Sequence, residues 1–280
     1  MARIIDQVKG KNLYKLDNIP NLRCLTAITP TICALMEVNP PSGCTDASLD
    51  VAIDIPVSKF LVFAADAIGM QMNVAHPEDF SDVEKYAPVV IPLRAVMPAV
   101  TPVNYASMFC GVPPAIHGIQ AYEKPVLSVE TIFDVMAAAG KNVAIVAVTD
   151  SSIDRIFRNR PIDYFSEIDD ERVLDRTKEI METDHYDFIV VYNAEYDDTL
   201  HKTTPYSPDA IAAMRAVIRR FLDLSSVFDS GDWKYHNRAI LFAPDHGAHI
   251  DENGRGTHGL DIPEDMIIQH YLGIRQGQNS

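Results

Sequence analysis

The sequence predicts an α/β fold in which a mostly parallel central sheet has helices on both faces. Two observations support this prediction. Short apolar runs recur along the chain and are continuous rather than alternating, as in strands that are buried on both faces. Amphipathic segments with helix-start and helix-stop residues separate these runs. The chain has 280 residues, 47% of them hydrophobic, which is enough to bury such a sheet. We therefore expect a single domain over residues 1–280.

Four apolar runs are predicted to be strands of this sheet. They read FLVFAAD, NVAIVAVT, DFIVVY and RAILFAPD, and helical patterns lie between them. Strands that alternate with helices are typical of parallel β-α units. The predicted strands are Phe60–Asp66, Asn142–Thr149, Asp187–Tyr192 and Arg238–Asp245.

Three segments between or after these runs are predicted to be helices. SVETIFDVMAAAGK has a cap signal at Ser128 and ends at Gly140, a favourable residue just beyond a helix. DDERVLDRTKEIMET is acidic at its start and amphipathic. SPDAIAAMRAVIRRFLDLSSVF has Pro208 in its first turn, where proline is well tolerated.

The charge of the chain argues against two classes of partner. The formal net charge is −15, whereas nucleic acids and anionic lipid surfaces recruit clustered Lys and Arg. We expect neither nucleic acid nor membrane as a partner. A small phosphate-containing substrate stays compatible with this charge, because bound metal cations reverse the local field.

The sequence shows no targeting signal. No apolar run reaches the length of a membrane span, and the first residues lack the apolar core of a signal peptide. The four cysteines form no CxxC pair, so neither a zinc ribbon nor a redox motif is indicated. The expectation is a cytoplasmic protein with reduced thiols.

Acidic and imidazole side chains cluster where the predicted strands end. The first strand ends at Asp66, the third runs into YNAEYDDTLH, and the fourth ends at Asp245 and His246. In open α/β sheets, sites form beyond the carboxyl ends of the strands. These residues are therefore expected to lie together at one edge of the sheet. We interpret them as a functional site and not as a solvent-exposed polar loop.

The types and spacing of these residues suit metal ions. Asp197 and His201 are four residues apart, which places both on one face of a helical turn. The alternative without a metal ion is an exposed pair that stabilises the start of a helix. His258 follows a loop with two glycines, and its alternative is a capped loop histidine. Three Asp and three His suit two metal ions that share a pocket: Asp66, Asp197, His201, Asp245, His246 and His258.

The best nucleophile candidate is Thr101, which precedes Pro102 and a predicted helix, NYASMFCG. A threonine hydroxyl is a poor nucleophile at neutral pH unless a metal ion lowers its pKa. A helix N-terminus here would present N–H groups to a phosphate, and Asn104 could donate a hydrogen bond to a developing oxyanion. The alternative is that Thr101 is only the helix N-cap.

These segments together resemble the type I phosphodiesterase/nucleotide pyrophosphatase family of the alkaline phosphatase superfamily. TPVNYASMFCGVPPAIHG is similar to the nucleophile segment of that family, and AEYDDTLHKTTP to its second metal segment. PDHGAH and THGLD are similar to its Asp-His-Gly and His-Gly-x-Asp motifs. FLVFAADAIG resembles the strand that ends at the first metal Asp, although Ala67 stands where the family usually has Gly. The five segments occur in family order between Phe60 and about Asp265.

The resemblance implies a fold and a metal centre. The fold is a three-layer α/β/α sandwich of the alkaline phosphatase type, with a small or absent cap because the segments between the motifs are short. One ion would be bound by Asp197, His201 and His258. Three imidazoles favour zinc, with manganese as the alternative. The second ion would be bound by Asp66, Thr101, Asp245 and His246.

The resemblance also implies a function. The chain would be a hydrolase of phosphodiester or pyrophosphate bonds in a small molecule, with Thr101 as nucleophile and Asn104 stabilising the phosphoryl oxygens. GVPPAIHGI also resembles the phosphonoacetate hydrolases, which cleave a C–P bond. A catalytically silent metal-binding scaffold is the third possibility. The activities on a diester, a monoester and phosphonoacetate would separate them.

The first residues are predicted to be an extension that packs on the catalytic core. Residues 1–57 precede the first core strand, and residues 58–280 would form the core. Within the extension, ITPTICALMEVNPP has an apolar helix face that cannot stay in water. Thr29 and Thr31 are set aside as nucleophiles, because no Asn-Ser-Gly-His-Gly pattern follows them.

Overall fold

An eight-stranded sheet forms the centre of the computed structural model, which describes residues 22–51 and 55–278. Its strands are β1 (Arg23–Cys24), β2 (Lys59–Ala65), β3 (Val89–Arg94), β4 (Val143–Val148), β5 (Asp163–Glu167), β6 (Phe188–Asn193), β7 (Arg238–Phe242) and β10 (Ile267–Arg275). They are ordered β1-β3-β10-β7-β2-β6-β4-β5, and all pair in parallel except β10, which is antiparallel to β3 and β7. The predicted, mostly parallel sheet is confirmed.

Helices connect and cover the strands. They are α1 (Ile28–Leu35), α2 (Met70–Ala75), α3 (Pro77–Tyr86), α4 (Thr101–Cys110), α5 (Pro114–His117), α6 (Ile132–Ala138), α7 (Ser152–Ile156), α8 (Asp170–Glu182), α9 (Glu195–Lys202), α10 (Pro208–Ser230) and α11 (Pro263–Met266). A separate two-stranded sheet pairs β8 (His249–Ile250) with β9 (Gly256–Thr257). In the part of the chain that is described, no helix is both long and apolar enough to cross a lipid bilayer.

Alternate residues of β2 face two helical layers. Phe60, Val62 and Ala64 belong to a core that is shared with α1, α4, α6 and α7. Leu61 and Phe63 belong to the core on the opposite face, which is shared with α3, α8 and α10. A strand with apolar side chains on both faces is what a sheet between two helical layers requires. The fold is a three-layer α/β/α sandwich.

The four predicted strands are β2, β4, β6 and β7, with small shifts at their ends; β7 ends at Phe242 rather than Asp245. Strands β1, β3, β5 and β10 were not predicted from the sequence. Pro92 interrupts the apolar run of β3, and β10 carries the buried polar residues Gln269 and His270. β5 lies at the sheet edge with much of its length half-buried or exposed, so it lacks a continuous apolar run.

Two predicted helices begin where expected, and one begins later. α8 and α10 are capped by Asp169 and Ser207, whose side chains accept hydrogen bonds from backbone N–H groups in the first turn. The cap predicted at Ser128 is wrong: α6 begins after Thr131, which forms a reciprocal capping box with Asp134. Gly140 follows this helix with φ 77°, a conformation that favours glycine.

The described part of the N-terminal segment packs on the core through α1. Its residues are buried on nearly all sides rather than on one face. Thr29 donates a hydrogen bond to the carbonyl oxygen of Met108 at 2.6 Å, and Thr31 donates to that of Ala27 at 2.6 Å. Both hydroxyls are therefore used structurally. Residues 1–21 and 52–54 lie outside the described residues, and the division of the chain at residue 57 stays a prediction.

Candidate metal centre

Three neighbouring strands place five of the seven candidate ligands at one edge of the sheet. β7, β2 and β6 are adjacent and parallel, so their carboxyl ends meet. Asp66 follows β2, and Asp245 and His246 follow β7. Asp197 and His201 lie on α9, which begins directly after β6. The structure thus brings together residues that are far apart in sequence, as the strand-end pattern predicted.

Helix α9 is fixed at its start by a buried carboxylate. Asp170, at the beginning of α8, accepts hydrogen bonds from the N–H groups of Ala194 at 3.1 Å and Glu195 at 2.8 Å. A carboxylate at a helix N-terminus satisfies unpaired donors and complements the helix dipole. This contact sets the position of Asp197 and His201 relative to the sheet.

The first group of ligand atoms comes from Asp197, His201 and His258. Asp197 Oδ1 lies 3.3 Å from His201 Nε2 and 3.4 Å from His258 Nε2. The two Nε2 atoms are 3.1 Å apart. Three ligand atoms therefore surround one small space.

The second group comes from Asp66, Thr101, Asp245 and His246, all of which are almost completely buried. Thr101 Oγ1 lies 3.4 Å from each Asp66 carboxylate oxygen and 3.4 Å from His246 Nε2. His246 Nε2 is 3.6 Å from Asp66 Oδ1 and 3.3 Å from Asp245 Oδ2. The ring centroids of His246 and His258 are 4.1 Å apart, so the two groups share one pocket.

The turn after β2 brings the backbone close to Asp245. Ala67, which stands where glycine was expected, has φ 60° and donates its N–H to Asp245 Oδ1 at 3.2 Å. This left-handed conformation costs an alanine about 1 kcal/mol. The conformation explains why glycine would suit the position, and the hydrogen bond shows what the turn contributes to the site.

The orientation of the three imidazoles shows that they fit metal ions. Each Nδ1 lies within hydrogen-bond distance of a backbone carbonyl oxygen, to which Nδ1–H donates. Each Nε2 then carries a lone pair that faces the pocket. Two facing lone pairs 3.1 Å apart, in His201 and His258, call for a cation between them. The Nδ1 contacts are His201 with Gly256 at 3.1 Å, His246 with Gly247 at 2.9 Å, and His258 with Ala99 at 2.8 Å.

The spacing of the ligand atoms agrees with this conclusion. A tetrahedral ion with ligands at about 2.0–2.1 Å has them roughly 3.3 Å from one another. The distances between ligand atoms given above for the two groups run from 3.1 to 3.6 Å. In addition, Asp245 Oδ2 is buried and has no hydrogen-bond partner in the described structure, as expected of an atom that is reserved for a cation. Each group fits one divalent ion.

Burial and like charges dominate the electrostatics of the pocket. Burial, and then the charges of Asp245 and Asp197, raise the pKa of Asp66 well above its usual value. Burial also raises the pKa of Asp245 and lowers the pKa of His246 to about 3. Burial acts upward on Asp197 too, but His201 and His258 lower its pKa overall. Buried carboxylates this close are stable as anions only beside cations.

The hydroxyl of Thr101 does not cap α4. The N-cap is Val100, Thr101 is the first helical residue, and no side chain caps this helix. The alternative that Thr101 serves only as an N-cap is therefore wrong. Its hydroxyl faces the second group of ligands at the helix N-terminus instead, where N–H groups and the helix dipole favour an anion.

Asn104 has a different task from the one expected. Its Oδ1 accepts a hydrogen bond from the N–H of Val96 at 2.8 Å. Its Nδ2 donates to the carbonyl oxygens of Val96, Pro98 and Val100 at 3.2–3.3 Å. The whole amide thus holds the loop before α4, and no donor is left for a phosphoryl oxygen. The oxyanion role was predicted from the residue type alone, whereas the direction of the side chain follows from the path of the loop.

The His-Gly pair of the nucleophile segment is also structural. His117 Nδ1 accepts from the N–H of Ile119 at 3.2 Å, so its Nε2–H donates to Ser107 Oγ at 2.9 Å. This contact ties the turn that ends at Gly118 to α4. Burial lowers the pKa of His117 to about 4, which keeps the ring neutral.

Two residues beside the ligands were not identified from the sequence. The hydroxyl of Tyr192, at the end of β6, donates to Asp66 Oδ2. Asp265 is fully buried and accepts from the N–H of Leu260 at 2.9 Å and contacts His249 Nδ1 at 2.8 Å. Its own carbonyl oxygen accepts from the N–H of Gly247. A tyrosine inside an apolar run and an Asp after a proline give no signal of such roles in the sequence.

Solved structures show the same fold. No family model and no curated protein sequence matches this chain. An inactive threonine-to-alanine variant of murine ectonucleotide pyrophosphatase/phosphodiesterase 5, in complex with AMP, matches with a TM-score of 0.59 and 18% identity over 70% of this chain and 59% of its own. Phosphonoacetate hydrolase from Sinorhizobium meliloti 1021, in complex with phosphonoformate, matches with a TM-score of 0.52 and 17% identity over 69% and 57%.

A third structure covers more of its own length. The C-terminal periplasmic domain of phosphoethanolamine transferase EptC from Campylobacter jejuni matches with a TM-score of 0.53 and 17% identity, over 78% of this chain and 80% of its own. The chain spans somewhat more than half the length of the other two proteins. All three belong to the alkaline phosphatase superfamily, so the alkaline phosphatase-like fold of this chain is confirmed.

Proposed function

We propose that this chain, which has the alkaline phosphatase-like fold, is a metal-dependent phosphoester hydrolase with Thr101 as nucleophile. The observation that carries the proposal is the position of the Thr101 hydroxyl. It lies 3.4 Å from Asp66 and from His246, inside a buried group of metal-ligand type, at the N-terminus of a helix. A hydroxyl needed only for packing would have no reason to face two metal-binding side chains.

The similar structures support the same class of chemistry. The threonine-to-alanine variant of the mouse protein is inactive. The bacterial phosphonoacetate hydrolase binds phosphonate ligands. Phosphoryl or phosphonyl groups therefore bind to proteins with this fold, and we infer that they bind here as well.

The proposed ion sites follow the two groups of ligand atoms. Asp197, His201 and His258 would hold one ion, and Asp66, Asp245, His246 and the Thr101 oxygen would hold the other. We propose zinc, because the imidazoles contribute Nε2 atoms at tetrahedral spacing; manganese is the alternative. When bound, the ions supply positive charge that makes the threonine hydroxyl more acidic and stabilises the phosphoryl oxygens.

The residues of the chain then carry out a double displacement. Thr101 Oγ1 attacks phosphorus, and the bond between phosphorus and the leaving oxygen breaks. The hydroxyl proton passes to Asp66, whose oxygens are 3.4 Å away, and from there to the leaving oxygen. A water molecule hydrolyses the resulting phosphothreonine, and the threonine hydroxyl is restored. Asn104 contributes by holding the loop before α4, so Thr101 stays in place.

Metal analysis together with phosphatase assays tests this proposal. The purified protein should contain about two divalent ions per chain, and chelation should abolish hydrolysis of bis(p-nitrophenyl) phosphate until zinc or manganese is restored. Asp66→Ala and Asp197→Ala should each remove a different ion. Asp198→Ala, a change of the exposed neighbouring acid, should keep both ions bound.

If Asp66→Ala and Asp197→Ala both keep two ions per chain, the ligand assignment is wrong. Phosphonoacetate is assayed in parallel because of the similar bacterial structure; its turnover without diester hydrolysis would move the proposal to a C–P hydrolase. A protein that binds two ions and hydrolyses none of the compounds would be a metal-binding scaffold. The cytoplasmic location of the protein stays a prediction.

A further inference from the structure

A second cavity lies on the same edge of the sheet as the metal centre. It has a volume of about 440 Å³ and opens where β4 and β5 end. Lys124, Arg155 and Arg158 contribute cationic side chains to its wall. In a chain with a net charge of −15, three cations in one cavity mark it as different from most of the surface.

The order of the strands gives the distance between the cavity and the metal centre. β6 lies between β2 and β4, and all three are parallel. Neighbouring strands are about 4.8 Å apart, so the end of β4 lies roughly 10 Å from the end of β2, where Asp66 follows. A group in the cavity is thus several bonds away from a phosphorus atom at Thr101.

The acids in the cavity wall are already used. Asp154 is almost completely buried, forms an ion pair with Arg158 and accepts a hydrogen bond from Ser166. Asp150 is paired with Arg155 at 3.0 Å. Two acids therefore balance two arginines, and the third cation, Lys124, is left over.

Lys124 is the cation in surplus. Its Nζ donates to the carbonyl oxygen of Asp150 at 2.9 Å, which is a neutral acceptor. Among the residues that the structure describes, no carboxylate forms a salt bridge with it. An ammonium group with a neutral partner can accept an anionic ligand without breaking an ion pair.

Lys124 lies beside Tyr122, a side chain that is affected by the charges of the metal centre. Lys124 Nζ lies 5.6 Å from the ring centroid of Tyr122. Burial and the charges of Asp66, Asp197 and Asp198 raise the pKa of Tyr122. Tyr122 thus lies within electrostatic reach of the candidate ligands, and Lys124 lies beside Tyr122.

We propose that this cavity binds a second anionic group of the substrate, with Lys124 as its principal contact. The inference rests on the proposed function, and it narrows the substrate class. The substrate would be a phosphoester whose organic part carries a carboxylate or a second phosphate roughly 10 Å from the phosphorus that is attacked. Both groups present anionic oxygens to an ammonium ion, and this shared chemistry is what the cavity recognises.

Matched diesters test the proposal directly. The probes are p-nitrophenyl hexyl phosphate, p-nitrophenyl carboxyhexyl phosphate and p-nitrophenyl phosphonohexyl phosphate, which have the same leaving group and differ only in the charge at the end of the tail. The zinc-loaded wild type should show kcat/KM values at least about tenfold higher for an anionic tail, mainly through KM. Whichever anionic tail is preferred identifies the source of the charge.

The variants assign this preference to the cavity. Lys124→Ala should reduce the ratio of kcat/KM between anionic and neutral tails to near one, and Lys124→Arg should restore most of it. Lys85→Ala removes an equally charged side chain that is 74% exposed on α3, and should leave the ratio as in wild type. An equal ratio for both tails in the wild type, or a ratio that Lys124→Ala does not change, would overturn the proposal.

A binding measurement separates this proposal from the proposed function. Calorimetry of the zinc-loaded Thr101→Ala variant should show the anionic diester binding about tenfold more tightly than the neutral one, with a preference that falls as salt is added. If wild type hydrolyses neither diester but this preference depends on Lys124, the proposed function fails and the cavity stands. If both diesters are hydrolysed and bound equally, the cavity proposal fails alone. Binding of neither would overturn both.

Discussion

Among the residues that contact a candidate ligand, Tyr192 is the one whose substitution we expect to be most informative. Its hydroxyl donates to Asp66 Oδ2. The rings of Tyr192 and Tyr105 are 5.8 Å apart between centroids, and the buried Tyr105 hydroxyl has no hydrogen-bond partner among the residues that the structure describes. Tyr192→Phe should weaken metal binding or kcat by about 10–100-fold, as is typical when a partner of a metal ligand is lost. The readouts are the zinc dissociation constant and kcat.

Tyr105→Phe is the matched control for this prediction. It removes a hydroxyl from the same buried region but no hydrogen bond, so metal affinity should be retained and stability should be equal or slightly higher. Equal losses in both variants would show that the effect comes from packing of the two rings and not from the hydrogen bond to Asp66.

Substitution of Asn104 distinguishes a structural role in the loop before α4 from the predicted role as an oxyanion donor. Its amide makes four contacts with backbone atoms of the loop before α4. Asn104→Ala should therefore lower the free energy of unfolding by about 2–4 kcal/mol, because buried backbone groups lose their partners. Denaturant titration measures this change. Unchanged stability with a kcat loss of about 10²–10³ would instead indicate an oxyanion donor.

At the scale of single residues, the sequence predicted which candidate ligands come together better than it predicted the groups around them. Asp and His beyond strand ends have a distinctive chemistry, and the strand order brings them together. The direction of Asn104 and the contact from Tyr192 depend on the path of loops, which composition and spacing do not determine. The convergence of these Asp and His residues was therefore predictable, and the directions of the side chains around them were not.

The contact between α9 and β9 depends on a glycine. A Cβ on Gly256 would lie 2.3 Å from the carbonyl oxygen of Leu200, and the carbonyl of Gly256 accepts from His201. Gly256→Ala should push β9 away from α9 and lower metal occupancy of the group formed by Asp197, His201 and His258. Metal content per chain is the measurement, with a loss of about one ion.

Gly43→Ala provides the comparison for this change. A Cβ there would meet only Val112 Cγ1 at an ordinary 3.6 Å, so both ions should be retained. Retention of both ions in Gly256→Ala as well would show that α9 and β9 can separate without loss of the ligand.

At the scale of elements, buried parallel strands were predictable because their apolar runs are continuous, whereas β3, β5 and β10 carry proline or polar residues.

Protonation of His117 should lower the free energy of unfolding of the whole molecule as the pH falls. Burial lowers its pKa to about 4, whereas an unfolded histidine has a pKa near 6.5. The unfolded state binds a proton first as the pH falls, so the contribution is complete above pH 6.5 and is lost progressively towards pH 4. The slope is up to about 1.4 kcal/mol per pH unit for this group.

His117→Gln isolates this contribution. The difference in pH slope of the unfolding free energy, between wild type and variant, should be confined to the window between about pH 4 and 6.5. Parallel curves for the two proteins would show that His117 is not the group that titrates. The sequence places this histidine in a motif but does not show that its ring is buried and neutral, because that follows from the packing of α4 against the following turn.

The layered architecture of the molecule was predictable as a whole, and its central chemistry is still to be measured. The most direct test is the rate of Thr101→Ala on an activated phosphodiester at saturating zinc, with metal content and folding verified. A nucleophile that forms a covalent intermediate predicts loss of turnover by several orders of magnitude, while Thr101→Ser, with the same hydroxyl, keeps substantial activity. A rate for Thr101→Ala within about tenfold of wild type, a barrier change of ~1.4 kcal/mol, would contradict the account.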